Sequence, residues 1–176
     1  MPHPLAIANA AYLEQCIRLL GGLTDDQYIQ ASPPLSESGV GGHLRHCLDH
    51  TRLLLDGCGR GQVDYDARDR DCRVAFDRAA AMAAATRLVE RLHALEPETV
   101  AAGIMVRMDC GDGRLRDAVW SQSTVARELQ FMVSHTTHHY ALMAMILRHQ
   151  GLEPGPDFGV AASTLRHRRA REGLNG

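Results

Sequence analysis

Aromatic residues make up only 5% of this 176-residue chain, while alanine and leucine are frequent. That composition suits helix-on-helix packing better than a β-sandwich. No run approaches the roughly 18 consecutive apolar residues of a membrane-spanning helix. Residues 1–11 lack a basic stretch followed by an apolar run, so no signal peptide is expected. The five cysteines are odd in number, scattered and without a CxxC pair, which argues against a disulfide framework or a thiolate zinc site. They read as reduced thiols of a cytoplasmic protein. A formal net charge of −2 offers no electrostatic case for nucleic acid or an anionic membrane. The one basic cluster (Arg166, His167, Arg168, Arg169, Arg171) reads as solvated or as part of a dimer contact. Repeats and low-complexity segments are missing too. The length fits one domain over residues 1–176, with a tail from about 151 packing on it.

Four segments carry helical periodicity. The first covers residues 4–22, with Leu5, Ala8, Tyr12, Ile17, Leu19 and Leu20 as apolar positions. A polar loop follows over residues 24–37. Ser38 is the expected N-cap of a second helix reaching residue 57. After a charged, solvent-facing connector at 64–71, a third, alanine-rich helix is expected over 72–95, ending before Pro97. Residues 100–109 and 114–120 flank Cys110-Gly111-Asp112-Gly113, and Asp-Gly is a strong hairpin turn signal. Ser123 or Thr124 then caps a fourth helix running to about His149, beyond which the chain is expected to be extended. The predicted architecture is all-α: an antiparallel four-helix bundle with a small β-hairpin inserted before the last helix.

The histidines concentrate the chemistry. Three of the ten lie within residues 135–139, and His135 and His139 are spaced i and i+4. On a helix that spacing stacks both imidazoles on one face, close enough to share a metal ion. Val125, Leu129, Met132, Thr136 and Met143 define the inward stripe of the fourth helix. At 100° per residue, His139 falls inside that arc, His135 lies at its edge and His138 points outward. Two stacked histidines facing a core are costly unless hydrogen-bonded or ligated. A second cluster, His43, His46 and His50, flanks the stripe of Leu44, Cys47, Leu48, Thr51 and Leu55 on the second helix. Geometry slightly favours His43 or His50 over His46 there, and spacing leaves the third ligand open.

Imidazole ligands suit a divalent metal, with zinc or nickel leading and iron behind them, and three of them leave a coordination position free for water or substrate. Glu128, two turns before His135, is a candidate to orient a ligand or act as a base. Asp49 reads as a surface charge, Cys47 as a small core residue, and Trp120 and Tyr140 as core residues or walls of a pocket.

Val40-Gly41-Gly42-His43-Leu44-Arg45-His46-Cys47-Leu48, followed far downstream by His135-Thr136-Thr137-His138-His139, resembles the DinB-like (damage-inducible protein) superfamily. The resemblance implies a four-helix bundle in up-down-down-up order, often homodimeric, with a three-histidine metal site. It implies that the ligand of the second helix is the histidine six residues after Val40, namely His46, joined by His135 and His139. Two branches differ from this chain after the HxxxH. Thiol-transferase members carry Arg-Gly-Gln where Tyr140-Ala141-Leu142 stands, and the ergothioneine-forming iron enzymes carry a glutamate where Ala141 stands.

The functional expectation is a metal-dependent enzyme acting on a small-molecule substrate, with a low-molecular-weight thiol as cosubstrate in S-transfer. The rivals are hydrolysis by metal-bound water, with Glu128 as base, and a non-catalytic metal-binding or stress-associated bundle closed by a fourth ligand such as His43, His50 or His138.

Overall fold

The computed structural model describes residues 1–67, 73–109 and 119–173. The protein is mostly helical, with a small three-stranded sheet. Helix α1 (Pro4–Gly21) begins with proline at a position whose N–H has no helical partner, and His3 caps it by accepting from the Leu5 amide. Short α2 (Asp25–Ile29) lies in the expected loop and owes its existence to a reciprocal cap: Thr24 accepts from the Gln27 amide, and the Gln27 side chain accepts from the Thr24 amide.

Helix α3 (Val40–Cys58) starts from Gly39 rather than from Ser38. The expected third helix is broken. Asp77 turns its side chain to accept from the Ala80 amide at 2.8 Å, ending α4 (Arg73–Phe76) and capping α5 (Arg78–His93). Another short helix, α6 (Pro97–Ala101), precedes the sheet. Thr124 caps α7 (Val125–His149) as expected, accepting from the Arg127 amide. The tail is not extended throughout: residues after 161 form α8 (Ala162–Gly173).

The expected mostly helical fold holds, and its small hairpin gains one strand to give a sheet of order β1-β2-β3. Strand β1 (Gln62–Asp64) runs parallel to β2 (Gly103–Arg107), which pairs antiparallel with β3 (Ser121–Thr124). The expected hairpin exists as β2 and β3. Its Cys110–Gly113 turn and most of the 114–120 arm lie outside the described residues. β1 is too short for a period of two to register, and the sheet register sets Asp64 opposite Arg107, with which it forms an ion pair.

α1 packs on α5 and α7, and α3 packs on α5 and α7, so a helical bundle encloses the core. Leu13, Leu20, Leu44, Leu54, Leu92, Leu129, Met132, Met143 and Leu147 are buried between these helices, each contributing about 1.5–3 kcal/mol of transfer free energy. Tyr140 is a core residue: its hydroxyl donates to the Tyr12 carbonyl at 2.9 Å and its ring stacks on Phe158. That stack brings the tail across α7 at Gly159 (φ +72°), where any Cβ would lie 2.6 Å from the Ala141 nitrogen. No described helix is long and apolar enough to cross a membrane.

Candidate metal centre

Packing of α3 against α7 brings five imidazoles into one cluster. His43, His46 and His50 come from α3, and His135 and His139 from α7. His46 Nε2 lies 3.1 Å from His135 Nε2, and His139 Nε2 lies 3.2 Å from the same atom. His46, His50 and His135 each present a ring nitrogen within 4.8 Å of the others, a group able to hold one ion. His43 touches the cluster from the other side, its Nδ1 3.2 Å from His139 Nδ1, while its Nε2 meets Ser36 Oγ at 3.2 Å. His135 and His139 are half-buried and His138 is exposed, as the helical projection requires. On α3 the projection separates little, because all three histidines reach the cluster. His50 is the most buried of them, at 4% exposure.

The donor set fits a cation. A neutral imidazole nitrogen has a single in-plane site, holding either a proton or a lone pair. His135 Nε2 therefore cannot satisfy His46 and His139 together by hydrogen bonding alone. An ion with metal–nitrogen bonds of about 2.0–2.1 Å in tetrahedral geometry holds its nitrogens roughly 3.3 Å apart, close to the 3.1 and 3.2 Å separations seen here. Burial, then the neighbouring His46, His135, His43 and His138, push the His139 pKa down to about 3, so the ring is neutral at neutral pH and one of its nitrogens keeps a free lone pair. Burial, then His138, also holds His43 below the ordinary histidine range.

Aromatic rings fix the ligand planes. Tyr65 stacks on His50 at 5.1 Å and 15°, and Phe131 stacks on His135 at 5.4 Å and 9°. The Tyr65 hydroxyl donates to Glu128 Oε2 at 2.9 Å, and Ser123 Oγ donates to Glu128 Oε1 at 2.6 Å. The sheet makes this possible: Tyr65 directly follows β1, Ser123 lies in β3, and Glu128 is in the first turn of α7. Glu128 is 6% exposed, and its hydrogen-bond partners are these two hydroxyls rather than an arginine. The Tyr65 ring links it to the histidines, since that ring stacks on His50.

Phe131 was within reach of sequence reasoning, being four residues before His135 on the same helical face. Tyr65 was not, since it sits in a charged stretch that reads as solvent-facing. Cys47 is a core residue whose thiol burial pushes far up, which disfavours a nucleophile. Trp120 is exposed rather than a core residue, with the Arg107 guanidinium over its ring at 5.2 Å.

No curated protein matches the chain. The sequence model of the DinB superfamily matches residues 13–143, a span that includes α3, the sheet and His135, His138 and His139 of α7. With most of its length matched, the chain belongs to the DinB superfamily.

Proposed function

We propose that this protein is a divalent-metal-dependent enzyme of small-molecule chemistry, with thiol-dependent S-transfer as its reaction. His46, His135 and His139 would hold the ion, zinc or nickel in the first instance. The observation that carries this reading is that His135 Nε2 lies 3.1 Å from His46 Nε2 across the two helices and 3.2 Å from His139 Nε2. When bound, such an ion supplies a positive charge that keeps a thiol in its thiolate form at neutral pH. The chain's own residues hold the His50 and His135 ring planes through Tyr65 and Phe131, keep His139 neutral by burial, and leave room for an electrophile beside them. Hydrolysis by metal-bound water would need a free base, whereas both Glu128 oxygens already accept hydrogen bonds. The test is elemental analysis of purified protein, wild type and with His46, His135 and His139 each replaced by alanine, followed by assay of a thiol with electrophilic alkyl or epoxide acceptors. About one equivalent of metal, lost in the variants, together with thiol consumption that depends on the metal, is the expected result. Metal retained in the triple variant would end this reading.

A second reading is favoured by one observation: His50 also converges with His46 and His135. Four imidazoles would close the coordination sphere, and the ion would then stabilise the bundle without catalysis. Metal content and thiol binding in His50→Ala separate the two.

A further inference from the structure

Beside the histidine cluster lies a cavity of about 190 Å³, lined among others by Tyr65, Val106, Met108, Arg127, Glu128 and Phe131. It shares two walls with the candidate metal centre, because Tyr65 stacks on His50 and Phe131 on His135. We propose that this cavity binds a small organic acid, its carboxylate on Arg127 and its apolar body against Val106 and Phe131.

The lining charges point to this class. Arg107 also faces the cavity, but its guanidinium is paired with Asp64 and packed over Trp120. The Glu128 carboxylate is turned to Tyr65 and Ser123. Arg127 lies over the Phe131 ring at 5.9 Å, and among the described residues no carboxylate is within ion-pair distance of it. It is exposed in the first turn of α7 and lines the cavity, so its guanidinium is open to an anion arriving from solvent. A ligand carboxylate can form two parallel N–H···O bonds to such a group, which a neutral amide cannot match. The volume sets the body: an apolar cavity of roughly 150 Å³ takes a benzene-sized molecule. A single ring or short branched chain carrying one carboxylate therefore fits.

That the acid would be the substrate presented to the metal rests on the function proposed above; its occupancy of the cavity does not. Calorimetric titration of 3-phenylpropionate and of its neutral amide into metal-free and zinc-loaded protein tests the site. The acid is expected to bind a few-fold more tightly than the amide, the range of an ion pair to an exposed arginine, with or without zinc. Arg127→Gln should remove that preference while leaving amide binding in place, which also shows that the variant is folded. Arg87→Gln, on the exposed side of α5, should leave the preference unchanged. Equal binding of acid and amide, no binding of either, or a preference that survives Arg127→Gln overturns the proposal. So does acid binding that requires zinc, since the carboxylate would then be on the ion. A protein that binds the acid at Arg127 and takes up no metal would keep this site and remove the metal reading alone.

Discussion

His46 Nε2 and His135 Nε2 stand 3.1 Å apart across the interface of α3 and α7, so one ion held between them would tie together two of the helices that form the core. Metal binding is then linked to folding, because the unfolded chain offers no such preformed pair. At a free metal concentration one hundred times the Kd, linkage adds about 2.7 kcal/mol. For a domain of this size, that is about 5–10 °C in Tm. Thermal unfolding before and after chelation should show that drop, and His46→Ala or His135→Ala should abolish the difference. An unchanged Tm on chelation of protein shown to contain metal would place the ion elsewhere.

His50 and His139 compete for the role of third ligand, and their substitutions should differ. With the open site proposed above, His139→Ala lowers metal affinity by 10-fold or more, while His50→Ala acts from outside the ligand set. Loss of an orienting partner costs about 10–100-fold, so affinity alone does not separate them. The absorption spectrum of the cobalt-substituted protein does, because it reports coordination number: it should change with His139→Ala and stay unchanged with His50→Ala. The opposite pattern would favour His46, His50 and His135 as the ligands.

How far the site was legible follows from these residues. The inward pair His135 and His139 and the outward His138 emerge from a 100° period because the stripe of Val125, Leu129, Met132 and Met143 is apolar and long. On α3 the same projection fails, since His43, His46 and His50 lie on one flank and an imidazole is long enough to reach the cluster from each position. Tyr65 and Ser123 are invisible to periodicity because a three-stranded sheet with long-range pairing delivers them. The break at Asp77 escaped because the alanine-rich sequence after it favours helix, and one local side-chain cap overrides that preference.

Acid should weaken the metal-free fold within a defined window. In the unfolded chain His139 titrates near 6.5, and in the folded protein, where burial and then His46, His135, His43 and His138 oppose its charge, only near 3. Below about pH 6.5 the unfolded state binds a proton that the folded state refuses, so stability falls as pH drops toward 3 and is flat with respect to this group above 6.5. Urea midpoints of the metal-free protein at pH 8, 6 and 5 should therefore fall in that order, with most of the fall below 6.5. His139→Ala should flatten the profile; a profile unchanged by that substitution would assign the acid sensitivity to other groups.

Glu128 separates the chemical readings. A base assisting attack by water contributes about 10²–10⁴ in rate, whereas a thiol already held as thiolate needs none. Glu128→Gln keeps an acceptor for one hydroxyl and a donor for the other, so thiol transfer should fall less than about tenfold and the fold should persist. Glu128→Ala strips acceptors from both Tyr65 and Ser123 and should cost about 3–6 kcal/mol, at about 1.5–3 for each hydrogen bond to a charged group. A hundredfold loss of activity in Glu128→Gln with unchanged Tm would argue for the hydrolytic rival.

The framework that carries the α3 histidines depends on a close approach at Gly41. A Cβ there would sit 2.1 Å from the Ala75 carbonyl oxygen and 2.8 Å from Cε1 of Tyr28. Backbone cannot yield as a flexible side-chain tip does, so α4 would have to move. Tyr28 would move with it, since its hydroxyl donates to the Val74 carbonyl at 2.6 Å. Overpacking of this kind costs about 1–3 kcal/mol, so Gly41→Ala should lower Tm by several degrees. The comparison is Gly21→Ala at the end of α1, where no atom lies within 4 Å of the added methyl. That change gains helix propensity and should be neutral or stabilising by up to about 1 kcal/mol. Equal effects of the two substitutions in thermal denaturation would mean that α3 and α4 are not held as closely as the backbone positions require.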